Sequence, residues 1–184
     1  MKAKSANLWT IGHSTLPIEQ FIGLLKAQEI QAVADVRRFP GSRRYPQFGQ
    51  EQLAESLRRE GIEYIHFPEL GGRRKARPDS PNTAWRNEAF RGYADYMMTA
   101  PFQNGIGRLQ AIARKQRTAI LCAEAVWWRC HRGLIADYFK ANGKKVLHIL
   151  SSGKTEEHPF TGAARIVEGK LSYVAVESEG TFAF

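Results

Sequence analysis

The segment from Cys122 to Arg132 contains the residue types best suited to chemistry. Cys122 ends an apolar run, Glu124 follows it, and Cys130, His131 and Arg132 open a pattern that predicts a helix. Thiols act as nucleophiles or ligands, carboxylates and imidazoles transfer protons, and a guanidinium binds phosphate or carboxylate bidentately. A helix N-terminus also attracts anions. The segment therefore predicts a polar, anion-attracting pocket.

Polar residues also follow other apolar runs, at 8–12, 32–36 and 62–67, which we interpret as strands. Ligands of parallel sheets bind beyond the carboxyl ends of the strands, so we expect these residues to meet at one rim. The catalytic candidates are Glu124, Cys122, Asp35 and His13. The ligand-binding candidates are Arg37, Cys130, His131, Arg132, Ser14, Gly71 and Gly72.

Each candidate also has a purely structural interpretation. Cys122 at a strand end can be a small buried apolar residue, and Asp35 can simply pair with a neighbouring arginine. A phosphatase-type loop would need arginine at position 128, which is tryptophan. The cysteines lack Cys-x-x-Cys spacing and a clear fourth ligand, so the sequence predicts no metal site. It indicates no particular cofactor either.

Positive charge is concentrated in two loop-like stretches of a chain whose net charge is +9. Arg43 and Arg44 belong to the first stretch, and Arg73 and Arg74 belong to the second. Such loops, with aromatic residues beside the first, are typical of contacts with a nucleic-acid backbone, so the partner we expect is an anionic small molecule or nucleic acid. The alternative is that the arginines only keep the protein soluble.

The order of elements predicts a single α/β domain over residues 1–184. Strands alternate with helices, which favours a mostly parallel central sheet with helices on both faces, a Rossmann-like three-layer arrangement. Thr15 is the expected cap of a helix opening at Pro17, and the last of the further predicted helices covers 130–142. Residues 68–87 are expected to form an irregular binding loop, and 165–176 are compatible with a hairpin at the sheet edge.

Two global features bear on location. The chain has no run of 18 apolar residues, so we expect no membrane span, and its polar first residues do not have the pattern of a signal peptide. Two cysteines do not make a disulfide framework. These features predict a cytoplasmic protein with free thiols. They do not indicate an oligomeric state.

The ordered set of motifs resembles a known family. The motifs are Thr10-Ile11-Gly12-His13-Ser14, Asp35-Val36-Arg37 with Pro40 and Ser42, Leu70-Gly71-Gly72, Cys122-Ala123-Glu124, Cys130-His131-Arg132 and His148-Ile149. Over about residues 8–150 they are similar to the family called domain of unknown function 488. The resemblance implies a compact α/β domain of bacterial or archaeal type, and it implies no particular reaction.

Three functions therefore stay open at this point. The first is an enzyme or binding domain acting on an anionic, phosphate-containing ligand such as a nucleotide or nucleic acid. The second is a non-enzymatic nucleic-acid-binding or nucleotide-sensing module. The third is a thiol redox sensor that uses Cys122 and Cys130.

Overall fold

A six-stranded sheet forms the centre of the computed structural model, which describes residues 7–41 and 43–176. The strands are β1 (Leu8–Gly12), β2 (Ala32–Asp35), β3 (Glu63–His66), β4 (Thr118–Cys122), β5 (Val146–Ile149) and β6 (Thr155–Glu157). Their order across the sheet is β3-β2-β4-β1-β5-β6. The first five are parallel and β6 is antiparallel to β5. The predicted mostly parallel sheet is confirmed.

Five helices cover the two faces of this sheet. They are α1 (Ile18–Ala27), α2 (Gln50–Arg59), α3 (Glu88–Met97), α4 (Ala100–Lys115) and α5 (Arg132–Ala141). Ile11 and Leu121 of the strands pack with Phe21 of α1 and Leu53 of α2. Because side chains alternate along a strand, Ile120 faces the opposite way. The core on that side contains residues of α3, α4 and α5, namely Tyr93, Phe102, Ile106, Leu134 and Phe139. The predicted three-layer arrangement is therefore confirmed.

The position of β4 in the sheet creates a crevice. β4 lies between β1 and β2, with Gly12 in register with Cys122 and Asp35 in register with Leu121. The chain leaves β1 and β2 towards the α1–α2 face, and it leaves β4 towards the α5 face. Loops that depart to opposite faces from neighbouring strands open a crevice at the carboxyl edge of the sheet. The ends of β1, β2 and β4 therefore meet at one place.

Two helix starts differ from the sequence prediction. Thr15 does not cap α1; Pro17 occupies the cap position and makes no side-chain hydrogen bond there. The helix predicted to begin at Cys130 begins at Arg132. A short 3-10 helix at Trp127–Arg129 precedes it, and Cys130 has extended backbone angles. The first N–H groups of α5 bond the carbonyls of Cys130 and His131, which leaves few of them for an anion.

The segments outside the layers also depart partly from the prediction. Residues 68–87 are irregular as expected, apart from a 3-10 helix at Pro68–Leu70. The predicted hairpin is present as β7 (Arg165–Val167) and β8 (Lys170–Ser172), but it forms its own two-stranded sheet. β6 occupies the sheet edge instead, and β8 contacts α5. Within residues 7–41 and 43–176 no helix is long and apolar enough to span a membrane.

Candidate functional site

A pocket of about 580 Å³ lies over the carboxyl ends of β1, β2 and β4. The predicted site residues that line it are His13, Ser14, Arg37, Gly72, Arg73, Cys122, Glu124, Cys130 and His131. The predicted residues that do not line it are Asp35, Gly71, Arg132, Arg43, Arg44 and Arg74. The structure therefore brings together most of the polar residues that follow β1, β2 and β4.

The loops after β1 and β4 run side by side into the pocket wall. The N–H of His13 donates to the Cys122 carbonyl, and the N–H of Ser14 donates to the Ala123 carbonyl. A Cβ atom at Gly12 would lie 1.8 Å from the Glu124 carbonyl oxygen. Any side chain at this position would collide with main chain, so glycine is required for the close passage of the two loops.

Asp35 fixes the position of Arg37 rather than facing the pocket. The carboxylate is completely buried and accepts hydrogen bonds from Arg37 Nε and Nη2, at 2.9 and 2.6 Å, and from the Tyr64 hydroxyl at 2.7 Å. Arg37 Nη1 donates to the Phe48 carbonyl and contacts His13 Nε2. Four of the five N–H donors of Arg37 are thus used, and its charge is balanced by Asp35.

His13 is held as a neutral imidazole. Its Nδ1 lies 2.9 Å from the Ser14 carbonyl oxygen and therefore carries the proton, so Nε2 accepts the hydrogen bond from Arg37 at 3.2 Å. Burial and the positive charge of Arg37 lower the pKa of His13 below its ordinary value. The ring stacks on Phe48 at 4.2 Å. The lone pair that a general base would use is occupied by Arg37.

Cys122, Cys130 and His131 form a cluster on the pocket floor. His131 Nδ1 lies 3.9 Å from Cys122 Sγ and 3.8 Å from Cys130 Sγ, while Nε2–H donates to the Val36 carbonyl at 3.1 Å. Both thiols are free. A hydrogen bond from Cys130 lowers the pKa of Cys122 well below its usual value, and burial raises the pKa of Cys130. The two thiols are thus close enough to shift each other's pKa.

Arg132 lies behind the cluster and not in the pocket. It is 2% exposed, and its Nη2 donates to the Ala125 carbonyl in the loop after β4. Its Nε and Nη1 are buried without a hydrogen-bond partner among the described residues. A buried guanidinium needs a nearby negative charge, and the charge of Arg132 acts on both cysteine sulfurs.

The rim of the pocket is positively charged. Arg38, Arg73 and Arg129 line it, are exposed, and have no carboxylate partner within the part of the chain that the structure describes. Arg38 Nη1 donates to the Arg73 carbonyl at 3.3 Å, which ties two of these loops together. Glu124 is the one carboxylate among the described lining residues, and it is exposed.

The remaining predicted residues support the walls or lie outside them. A Cβ atom at Gly71 would lie 2.7 Å from Arg38 Cβ, so this glycine permits close packing of the two loops. Arg74 lies 3.6 Å from the ring centroid of Tyr96 and donates to the Gly71 carbonyl. Arg43 and Arg44 are exposed.

The sequence interpretation missed several lining residues as members of the site. Arg129 directly precedes the Cys130-His131-Arg132 motif, whereas Arg38 follows the second strand beside Arg37 and is expected at the rim. Phe90 and Tyr93 had no local signal, because they come from α3 and reach the pocket only through the packing of that helix. Tyr93 stacks edge-on against His131 at 5.0 Å.

The family assignment agrees with these motifs. The sequence model of the family described as "Domain of unknown function DUF488" matches residues 17–139, about two thirds of the chain. The chain belongs to this family. The motif around His13 and the strand that contains His148 lie outside the matched range. No curated protein and no solved structure matches the chain.

Proposed function

We propose that the chain is an enzyme that acts on a small phosphate-bearing ligand of nucleotide type. The observation that carries the proposal is the group of three exposed arginines, Arg38, Arg73 and Arg129, around a pocket at the carboxyl edge of a parallel sheet. Ligands of such sheets bind where loops diverge to opposite faces. Guanidinium groups bind phosphate through two parallel hydrogen bonds.

The balance of charge favours an anion. Arg37 is neutralised by Asp35, so the rim arginines and Glu124 decide the sign of the pocket. Three positive charges against one negative charge leave a net attraction for phosphate. A concave site with low-dielectric walls focuses this field, which raises the local concentration of an anionic ligand.

The shape of the pocket favours a small ligand over a polymer. A volume of about 580 Å³ lies within the range of small-molecule sites. Phe39 and Phe90 line the pocket together with the arginines and supply apolar surface against which a base can stack. Phosphate and base recognition in one cavity is what a nucleotide requires.

The groups on the pocket floor favour an enzyme over a binding module. Cys122, Cys130 and His131 lie together beneath the rim arginines, and Glu124 lies at the side. Binding a phosphate group needs none of these residues. A cluster of thiols and imidazole in the same cavity as an anion-binding rim is expected where a bound ligand is to be chemically changed.

Calorimetric titration with ADP, pyrophosphate and adenosine tests the proposal. We expect ADP to bind and adenosine to bind much more weakly, because adenosine lacks phosphate. Arg73→Ala should weaken ADP binding about tenfold, the effect of losing a charge-assisted hydrogen bond. The control is Arg114→Ala, which removes an exposed arginine of α4 at the opposite edge of the sheet. Equal affinities for the two variants would reject the phosphate site.

A second candidate, nucleic-acid binding, is favoured by the exposure of Arg43 and Arg44 beside the pocket loop. Binding of single-stranded and duplex oligonucleotides across a salt series tests it. If a polymer is the ligand, the double variant Arg43→Ala, Arg44→Ala should reduce the salt dependence of binding by up to about two counterions. If only the small ligand binds, oligonucleotide affinity will be negligible at physiological salt, and the double variant will bind ADP like the wild type.

A further inference from the structure

We propose that Cys122, Cys130 and His131 bind one Zn²⁺ ion on the pocket floor, with the fourth coordination position open to the pocket. The three donor atoms lie within 4.8 Å of one another. In tetrahedral zinc sites the metal–sulfur distance is about 2.3 Å and the metal–nitrogen distance about 2.0–2.1 Å, which places N and S about 3.6 Å apart. The observed 3.9 and 3.8 Å need only a small contraction.

The orientation of His131 supports a metal-binding role. Because Nε2–H donates to the Val36 carbonyl, the lone pair on Nδ1 is directed at the two sulfur atoms. Histidine ligands of metals are regularly oriented in this way, by a carbonyl or carboxylate that holds the other ring nitrogen. A Cβ atom at Gly72 would lie 2.9 Å from Nδ1 of His131. Glycine at this position therefore allows the backbone to pass close to the histidine ring.

The chemistry of the donors selects zinc. Two cysteine sulfurs and one imidazole form a soft-to-borderline set that suits Zn²⁺ and does not suit Mg²⁺ or Ca²⁺. A set of two cysteines, one histidine and an open position is typical of a catalytic zinc rather than a structural one. The buried Arg132, which has two nitrogens without a hydrogen-bond partner among the described residues, supplies positive charge next to the two sulfurs, which bind a metal as thiolates.

The spacing of the ligands explains why the sequence predicts no metal here. Cys122 and Cys130 are separated by a loop and a 3-10 helix, not by the two residues of a zinc knuckle. Within the described residues the cluster has three members. In the sequence, the lack of a clear fourth ligand argues against a metal site. In a zinc site with three protein ligands, the same lack leaves one coordination position for substrate or water.

The open coordination position faces the rim arginines. Only the identity of the ligand in that position rests on the proposed function. A phosphate oxygen or a water molecule held there would be polarised by the metal. Metal binding itself needs only the three donors, and it is measured without any phosphate.

Titration of the reduced, metal-free full chain with Co²⁺ tests the inference. We expect one equivalent to give sulfur-to-cobalt charge transfer and the intense visible bands of tetrahedral Co²⁺, and Zn²⁺ to displace it. His131→Ala and Cys130→Ser should weaken binding by more than the roughly 10–100-fold that follows loss of an outer-shell partner. Glu124→Gln, which removes a neighbouring carboxylate, should leave the spectrum unchanged. One equivalent of Zn²⁺ should also protect both cysteines from alkylation.

Three outcomes would overturn the inference. The wild type gives no tetrahedral Co²⁺ spectrum; His131→Ala keeps it while folded by circular dichroism; or air forms a Cys122–Cys130 disulfide in a protein that binds no metal when reduced, which favours thiol redox chemistry. Metal binding without ADP binding would reject the proposed function alone. ADP binding without metal binding would reject the zinc site alone.

Discussion

Two polar networks in this chain each contain two histidines, but only one of the networks opens to a cavity. The first lies at the pocket, where His13 and His131 meet Arg37 and the cysteines. The second lies between β5, α5 and the segment after β6, where His148 and His158 meet a carboxylate. Every group of the second network has a partner inside the protein, whereas the first network is open to a cavity.

The closed network is a continuous chain of hydrogen bonds from β1 to α5. The Thr10 hydroxyl bonds His148 Nδ1 at 2.7 Å, His148 Nε2 bonds His158 Nδ1 at 2.9 Å, and His158 Nε2 bonds Asp137 at 2.9 Å. Asp137 also accepts hydrogen bonds from the N–H and hydroxyl of Thr161 and from the hydroxyl of Tyr173. The network fastens the C-terminal segment to α5.

The contrast shows that residue type does not identify a functional site. A histidine next to a carboxylate is arranged as in a catalytic dyad at Asp137, yet the pocket over β1, β2 and β4 does not reach it. The pocket histidines are distinguished by a shared cavity with arginines that have no carboxylate partner among the described residues. In this protein, the network that a ligand can reach is the candidate functional site, and the closed network contributes to stability.

The largest effect that would test this contrast is the loss of Asp137. Asp137→Ala leaves four buried hydrogen-bond donors without their acceptor, so we expect it to lower the free energy of unfolding by about 3–5 kcal/mol. Urea denaturation measures the change. Asp79→Ala removes an exposed carboxylate paired with Arg77 and should leave the midpoint unchanged. A similar decrease in the free energy of unfolding of both variants would mean that the closed network stabilises the fold no more than an exposed ion pair.

A smaller effect is expected on the stability of the protein at acid pH. Burial, together with the electrostatic influence of His158 and Arg132, lowers the pKa of His148 to about 2. Below the ordinary histidine pKa of about 6.5, His148 binds a proton in the unfolded chain but not in the folded chain. The free energy of unfolding therefore falls as the pH falls. One such group contributes up to about 1.4 kcal/mol per pH unit.

Urea denaturation between pH 7.5 and 5 measures that slope in the wild type and in His148→Asn. The variant should be less stable at pH 7.5 and should lose stability less steeply towards acid. Lowered pKa values at both His13 and His148 contribute to the wild-type slope, so the variant should keep part of it. An identical slope in the two proteins would contradict the assignment of His148 as a neutral buried residue.

The smallest effect is expected at the open network. Glu124→Gln removes the one carboxylate among the described lining residues without changing its size. Less repulsion should strengthen ADP binding by about threefold or less at low salt, and added salt should remove the gain. Calorimetry measures the affinity, and the urea midpoint should not move because the side chain is exposed. Weaker ADP binding would place Glu124 in direct contact with the ligand.

Much of the pocket was predictable because its residues follow the strands. Cys122, Arg37 and His13 were selected as polar residues after apolar runs, and the structure places all three in the pocket lining. Arg132 is expected to bind an anion from the first turn of a helix, but its side chain lies behind the pocket. It is 2% exposed, and its Nη2 donates to the Ala125 carbonyl in the loop after β4.

The closed network was not predictable in the same way. His148 belongs to an apolar strand and His158 follows a short edge strand with weak signals. Their partner Asp137 is on the helix between β4 and β5, where it looks like an ordinary polar residue. No spacing along the chain brings the three together, because they meet only when the C-terminal segment packs against α5.

By itself the sequence determined the alternation of strands and helices and the polar character of the strand ends. These properties depend on local hydrophobic periodicity and on turn residues, which act over a few positions. Only the tertiary structure decided that β4 lies between β1 and β2 and that His131 Nδ1 reaches two sulfur atoms. It also decided which arginines face the pocket. Strand order and side-chain direction depend on the packing of distant segments, which local patterns do not encode.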